Sequence, residues 1–70
     1  MIGADELAVR FTYHPPTERQ AELYEDIRSR AYNLALWLDE VVPDSREKSL
    51  ALTDLDHLVQ HANAAIARRS

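Results

Sequence analysis

The sequence predicts an all-α fold: a short N-terminal helix or arm, then a long antiparallel helical hairpin, assembled into a compact homo-oligomer. Three observations predict it. Two long stretches carry apolar residues at alternating steps of three and four, the spacing of one helix face. Each stretch opens on a helix-capping signature, and Pro43 separates the two. Glycine occurs only at position 3, and no Asn-Gly or Asp-Gly pair is present, so β-hairpin turn chemistry is missing.

Residues 1–16 form the N-terminal arm and an elbow. Asp5 to Phe11 reads as a short helix, with Leu7 and Phe11 at i,i+4 on one face, or as a frayed arm, because short isolated helices are marginal. The elbow is Phe11-Thr12-Tyr13-His14-Pro15-Pro16-Thr17. Proline fixes its own φ and disfavours helical geometry in the residue before it. His14 and Pro15 are therefore biased to extended backbone, and Tyr13 is held beside the next helix. That ring is either a stacking platform for a planar anion or a plug for a small core.

Residues 17–42 read as the first long helix. Thr17 and Gln20 have the spacing of a capping box. Leu23, Ile27, Ala31, Leu34, Leu38 and Val41 form an a/d-like seam, widened by Tyr24, Ala35 and Val42. Residues 43–45 are the turn. Asp44 and Glu47 make a second capping-box signature, with Ser45 as the alternative cap. Residues 46–69 read as the second helix, with Leu52, Leu55, Val59, Ala62 and Ile66 on its seam. Leu58, Ala51 and Ala65 add another apolar stripe, and Arg68 and Arg69 suit the C-terminal dipole. So short a turn forces the helices antiparallel.

Seventy residues make a single domain. A chain of this size buries only roughly 60% of its unfolded surface, so it usually needs disulfides, a metal or a partner subunit. There is no cysteine, which removes disulfides and thiolate metal sites and fits a cytosolic protein. A hairpin with apolar stripes on two sides must pack against something, and self-association is the simplest answer. No apolar run approaches the roughly 20 residues of a membrane span, and the first residues lack the pattern of a signal peptide. The net charge of −4 argues against a partner that is a nucleic-acid polymer.

Candidate chemistry is sparse. His57 and His61 are spaced i,i+4, with Asp54 one turn earlier, but no third strong metal ligand stands near them. No nucleophile elbow or phosphate-cradling glycine loop occurs, so the chain reads as a non-enzyme with no cofactor. Arg28 and Arg30 lie midway along the first helix. They are either solvated partners of Glu22, Glu25 and Asp26 or forks that pair with phosphate and stack on bases. Arg68 and Arg69 read the same two ways. Trp37 and Tyr32 read as core or interface residues.

Taken in order, the Tyr-His-Pro-Pro elbow, the run Val42-Pro43-Asp44-Ser45-Arg46-Glu47-Lys48-Ser49-Leu50-Ala51-Leu52-Thr53 and the end Ala62-Asn63-Ala64-Ala65-Ile66-Ala67-Arg68 resemble the bacteriophage anti-CBASS sponge proteins. The hairpin is also similar to the C-terminal part of anti-Thoeris sponges. The resemblance covers Phe11 to Arg69. It implies a phage immune-evasion protein in the cytoplasm of the infected bacterial host. Such a protein sequesters cyclic di- and trinucleotides without cleaving them, as a homohexamer. It implies that Tyr13 stacks on the dinucleotide base beside His14, with Arg28 as basic partner where the family pattern has Lys. It places a separate trinucleotide site near Arg30 and Arg69, where three protomers meet. A competing reading is a helical adaptor that holds a partner protein's helix against its apolar face.

Overall fold

The computed structural model describes all 70 residues, Met1–Ser70, as three helices with no strand. Helix α1 spans Ala4–Phe11, α2 Glu18–Val41 and α3 Arg46–Arg69. Of the two readings of the N-terminal segment, the helix is the one adopted. Its first turn carries Asp5 and Glu6 and its last turn Arg10, each on the favourable end of the dipole.

Helix α2 begins as its sequence predicts. The Thr17 hydroxyl accepts from the Gln20 amide at 3.1 Å, and the Gln20 side chain accepts from the Thr17 amide at 3.0 Å. Helix α3 begins differently. Ser45 is its cap, accepting from the Lys48 amide at 3.1 Å, and no second capping box forms. Asp44 is occupied elsewhere, because its carboxylate accepts from the Lys48 ammonium at 2.9 Å.

Lys48 is the one buried residue of the protomer, at 8% exposed. Its ammonium also donates to the Asp39 carbonyl at 2.8 Å and sits 2.9 Å from the Asp39 carboxylate. One cation thus clips the end of α2, the turn and the start of α3. The hydrogen bonds it donates to Asp44 and then Asp39 raise the Lys48 pKa, and Lys48 in turn lowers that of Asp44. At the other end of the hairpin, the Gln20 side-chain Nε2 donates to the Ile66 carbonyl at 3.1 Å.

Between these clips the helices meet along Leu23, Ile27, Ala31, Ala35 and Leu38 of α2 and its capping residue Val42, all half-buried. Leu52, Leu55, Val59, Ala62 and Ile66 face them from α3. The seam expected on α2 is therefore rotated. Leu34 and Val41 are 43% and 51% exposed, and Ala35 and Val42 take their places. Ala31 and Ala35 share the seam with Leu23, Ile27 and Leu38, while Leu34 and Val41 face outward.

The molecule measures 45 × 33 × 13 Å. Its least dimension is close to one helix diameter of about 10–12 Å. A layer one helix thick has no interior, and no apolar residue is buried. Leu34, Trp37 and Leu58 are among the large apolar side chains left open to solvent. No helix is long and apolar enough to cross a membrane.

Candidate ligand cleft

The elbow returns the chain against the end of α3. Thr12 and Thr17 both have extended backbone, and every peptide bond is trans. The short helix α1 leaves orphan carbonyls at its C-terminal end. Three side chains take them up. The Thr12 hydroxyl donates to the Ala8 carbonyl, the His14 Nε2 lies 2.8 Å from the Val9 carbonyl, and Arg68 donates to the Arg10 carbonyl at 3.2 Å. A carbonyl only accepts, so His14 Nε2 is the donor in this contact.

A second grip holds α1 to α3. Arg69 donates to the two Glu6 oxygens at 2.7 and 3.1 Å, and Arg10 donates to one of them at 3.2 Å. The hydrogen bonds from Arg69, and next those from Arg10, lower the Glu6 pKa to about 2.

These contacts close one side of a cleft of about 400 Å³. Arg10, Arg28 and Arg68 line it, and no carboxylate does. A chain of net charge −4 has thus gathered a local cationic site. Two aromatic rings, Tyr13 and Tyr24, border it together with His14. Asn63, Ala64 and Ala67 make its floor on α3. Tyr13 is 81% exposed, so it is no core plug. Arg28 pairs with Glu25 at 2.9 Å, both largely exposed. Exposed pairs of this kind contribute only about 0–1 kcal/mol, so the guanidinium is free to turn toward a ligand.

The cleft can therefore do two things. Flat rings can stack on Tyr13 or under a guanidinium. Anionic oxygens can take charge-assisted bonds from three arginines. A larger groove of about 470 Å³ adjoins it through Arg28, and apart from Arg28 and Asp56 its lining of Ala31, Tyr32, Ala35, Leu52, Leu55 and Val59 is apolar. That lining offers a surface for packing and little to orient a polar ligand.

Of the residues singled out from sequence, Tyr13, His14 and Arg28 come together here. Arg30 does not. It borders a separate groove with Ile27, Leu34, Leu55 and Leu58 on the opposite face of the hairpin. Arg69 lies at the end of α3 on Glu6, and no groove of the protomer holds it with Arg30. His57, His61 and Asp54 form no group placed to hold a metal ion. Arg10, Tyr24 and Asn63 were not anticipated as site residues. The helical spacing of Tyr24 and Arg28 was the one available signal, since Arg10 and Asn63 join only through the fold.

A family model described as Acb2/Tad1, hairpin domain, matches residues 4–67. Neither a curated protein nor a solved structure gives a significant match.

Proposed function

The chain belongs to the Acb2/Tad1 hairpin-domain family, the anti-CBASS and anti-Thoeris sponges of cyclic oligonucleotides, and on that premise we propose that its cleft holds a cyclic dinucleotide intact. The observation that carries this reading is the meeting of Tyr13 and Arg28 at one cleft with Arg10 and Arg68. A cyclic dinucleotide is a dianion with two flat bases. Tyr13 and Arg28 sandwich a base, while Arg10 and Arg68 face the phosphates and His14 borders the ligand.

Assembly completes the site. A cleft open on its outer side, on a layer with both faces uncovered, fits a pair of protomers related by a two-fold axis. That axis suits a ligand with two equivalent halves. The exposed Leu34, Trp37 and Leu58 supply the apolar area for a homohexamer acting in the infected host's cytoplasm. Arg30 and Arg69 lie in different parts of one protomer, so a shared trinucleotide site takes them from different copies. On this reading the roughly 470 Å³ groove is covered by another copy of the chain rather than by a foreign helix.

Native mass spectrometry with a panel of cyclic di- and trinucleotides tests this reading. Bound ligand on an oligomer, recovered as the intact ring after heat denaturation, supports it. Recovery of linear nucleotide, or binding of no panel member, overturns it.

A further inference from the structure

The floor of the cleft holds an unexplained polar group. Asn63 stands on α3 with Ala64 and Ala67, opposite Tyr24. Its Oδ1 is shut off from water and has no hydrogen-bond partner. Native proteins rarely leave a dry acceptor unpaired, because it has lost water and gained nothing. None of the three cleft arginines bonds to it. Arg28 is paired with Glu25, Arg10 with Glu6, and Arg68 with the Arg10 carbonyl. A molecule that enters the cleft can supply the donor that Asn63 lacks.

We propose that Asn63 reads the edge of the base in the cleft, and that its being an amide is what admits adenine. The inference rests on the cyclic-nucleotide reading above. The flanking alanines let a flat ring lie close to α3. The Asn amide turns about a broad two-fold torsion, and turning Oδ1 outward breaks no bond because it makes none. It then presents an acceptor beside a donor. Adenine offers the matching pair, its N6 amino group beside N1 or N7. A carboxylate at this position offers two acceptors. It faces the N1–H and N2 amino donors of guanine well, and it sets a lone pair against a ring nitrogen of adenine.

The test is calorimetric titration of the full chain with cyclic diadenylate and cyclic diguanylate, beside thermal melts. Wild type binds the diadenylate. Asn63→Asp shifts the affinity ratio toward the diguanylate by about tenfold or more, the size of one good base-edge contact. The ratio is the readout because an added negative charge weakens both dianions together. Asn63→Leu removes the dry acceptor, so it keeps or raises the melting temperature while weakening the diadenylate about tenfold. A wild type that binds neither ligand sinks the function proposed above along with this one. A wild type that binds, with an unmoved ratio in Asn63→Asp or undiminished binding in Asn63→Leu, overturns the Asn63 inference alone.

Discussion

Arg69 grips Glu6 with two parallel hydrogen bonds, and that fork ties the first helix of the chain to the last turn of the third. The Tyr13 elbow hangs between those two points. Its position therefore depends on residues at both ends of the sequence.

Breaking the fork should loosen α1 without unfolding the hairpin. In Glu6→Gln, amide hydrogen exchange in Ala4–Phe11 should speed up while α2 and α3 keep wild-type protection. Dinucleotide affinity should fall with it, because Tyr13 is less firmly placed. Unchanged exchange in α1 would mean that the fork does not hold the helix.

The same contact sets an acid limit. Glu6 has its pKa lowered from 4.5 to about 2. A carboxylate with a depressed folded pKa contributes fully above its unfolded value and loses that contribution as pH falls through the folded one. Protection of α1 should be alike at pH 7 and pH 5 and fade between pH 4.5 and about 2. Fading above pH 5 would contradict this.

Lys48 makes the opposite prediction at high pH. Its pKa is raised by Asp44 and Asp39, so its clip is fully present below the ordinary lysine value of 10.5 and is lost as pH climbs beyond it. Asp44 is lowered, so its share persists above 3.8 and is lost in acid. Lys48→Met keeps the apolar stem and removes the cation. It should lower the melting temperature at neutral pH and narrow its difference from wild type as pH rises past 10.5. A melting temperature equal to wild type at pH 7 would show that the clip contributes nothing.

The helices and their Thr17 cap were legible because apolar spacing and capping are local signals. Ser45 prevailed over Asp44 because Asp44 was drawn to Lys48, a contact between the turn and a buried cation that spacing does not reveal. On α2, Ala35 and Val42 are half-buried where the spacing pointed to Leu34 and Val41, because which side of a broad apolar face turns inward is set by the partner helix. Tyr13 and Arg28 were legible as candidates, since rigid elbows and planar cations stand out. Arg10 and Asn63 were not, because they reach the cleft only when α1 folds back on α3. The separation of Arg30 from Arg69 was equally hidden, since it follows from hairpin register.

The open faces predict assembly. Leu58 is 56% exposed on the protomer. If another copy covers it, Leu58→Asp sets an unpaired charge in an apolar contact, a cost of several kcal/mol by transfer estimates of roughly 2 or more for even a neutral polar group. Light scattering should show wild type as a multiple of the 8.0 kDa chain and the variant dissociated or unfolded. A stable folded wild-type monomer at micromolar concentration would refute the assembly.

Arg30 offers a check on the number of sites. Arg30→Ala should weaken cyclic trinucleotide binding and spare dinucleotides, because Arg30 lies on the face opposite the Tyr13 cleft. Equal loss of both ligand classes would argue for one shared site.

The central claim is that Tyr13 and Arg28 sandwich a base, and calorimetric titration of Tyr13→Ala with a cyclic dinucleotide, beside its thermal melt, tests it most directly. Stacking on an aromatic ring is worth about 1–3 kcal/mol per base, so affinity should fall about 5- to 150-fold for each stacked base. The melting temperature should stay at the wild-type value, because an 81% exposed ring holds no core together. A lowered melting temperature with unchanged dinucleotide affinity would contradict the account.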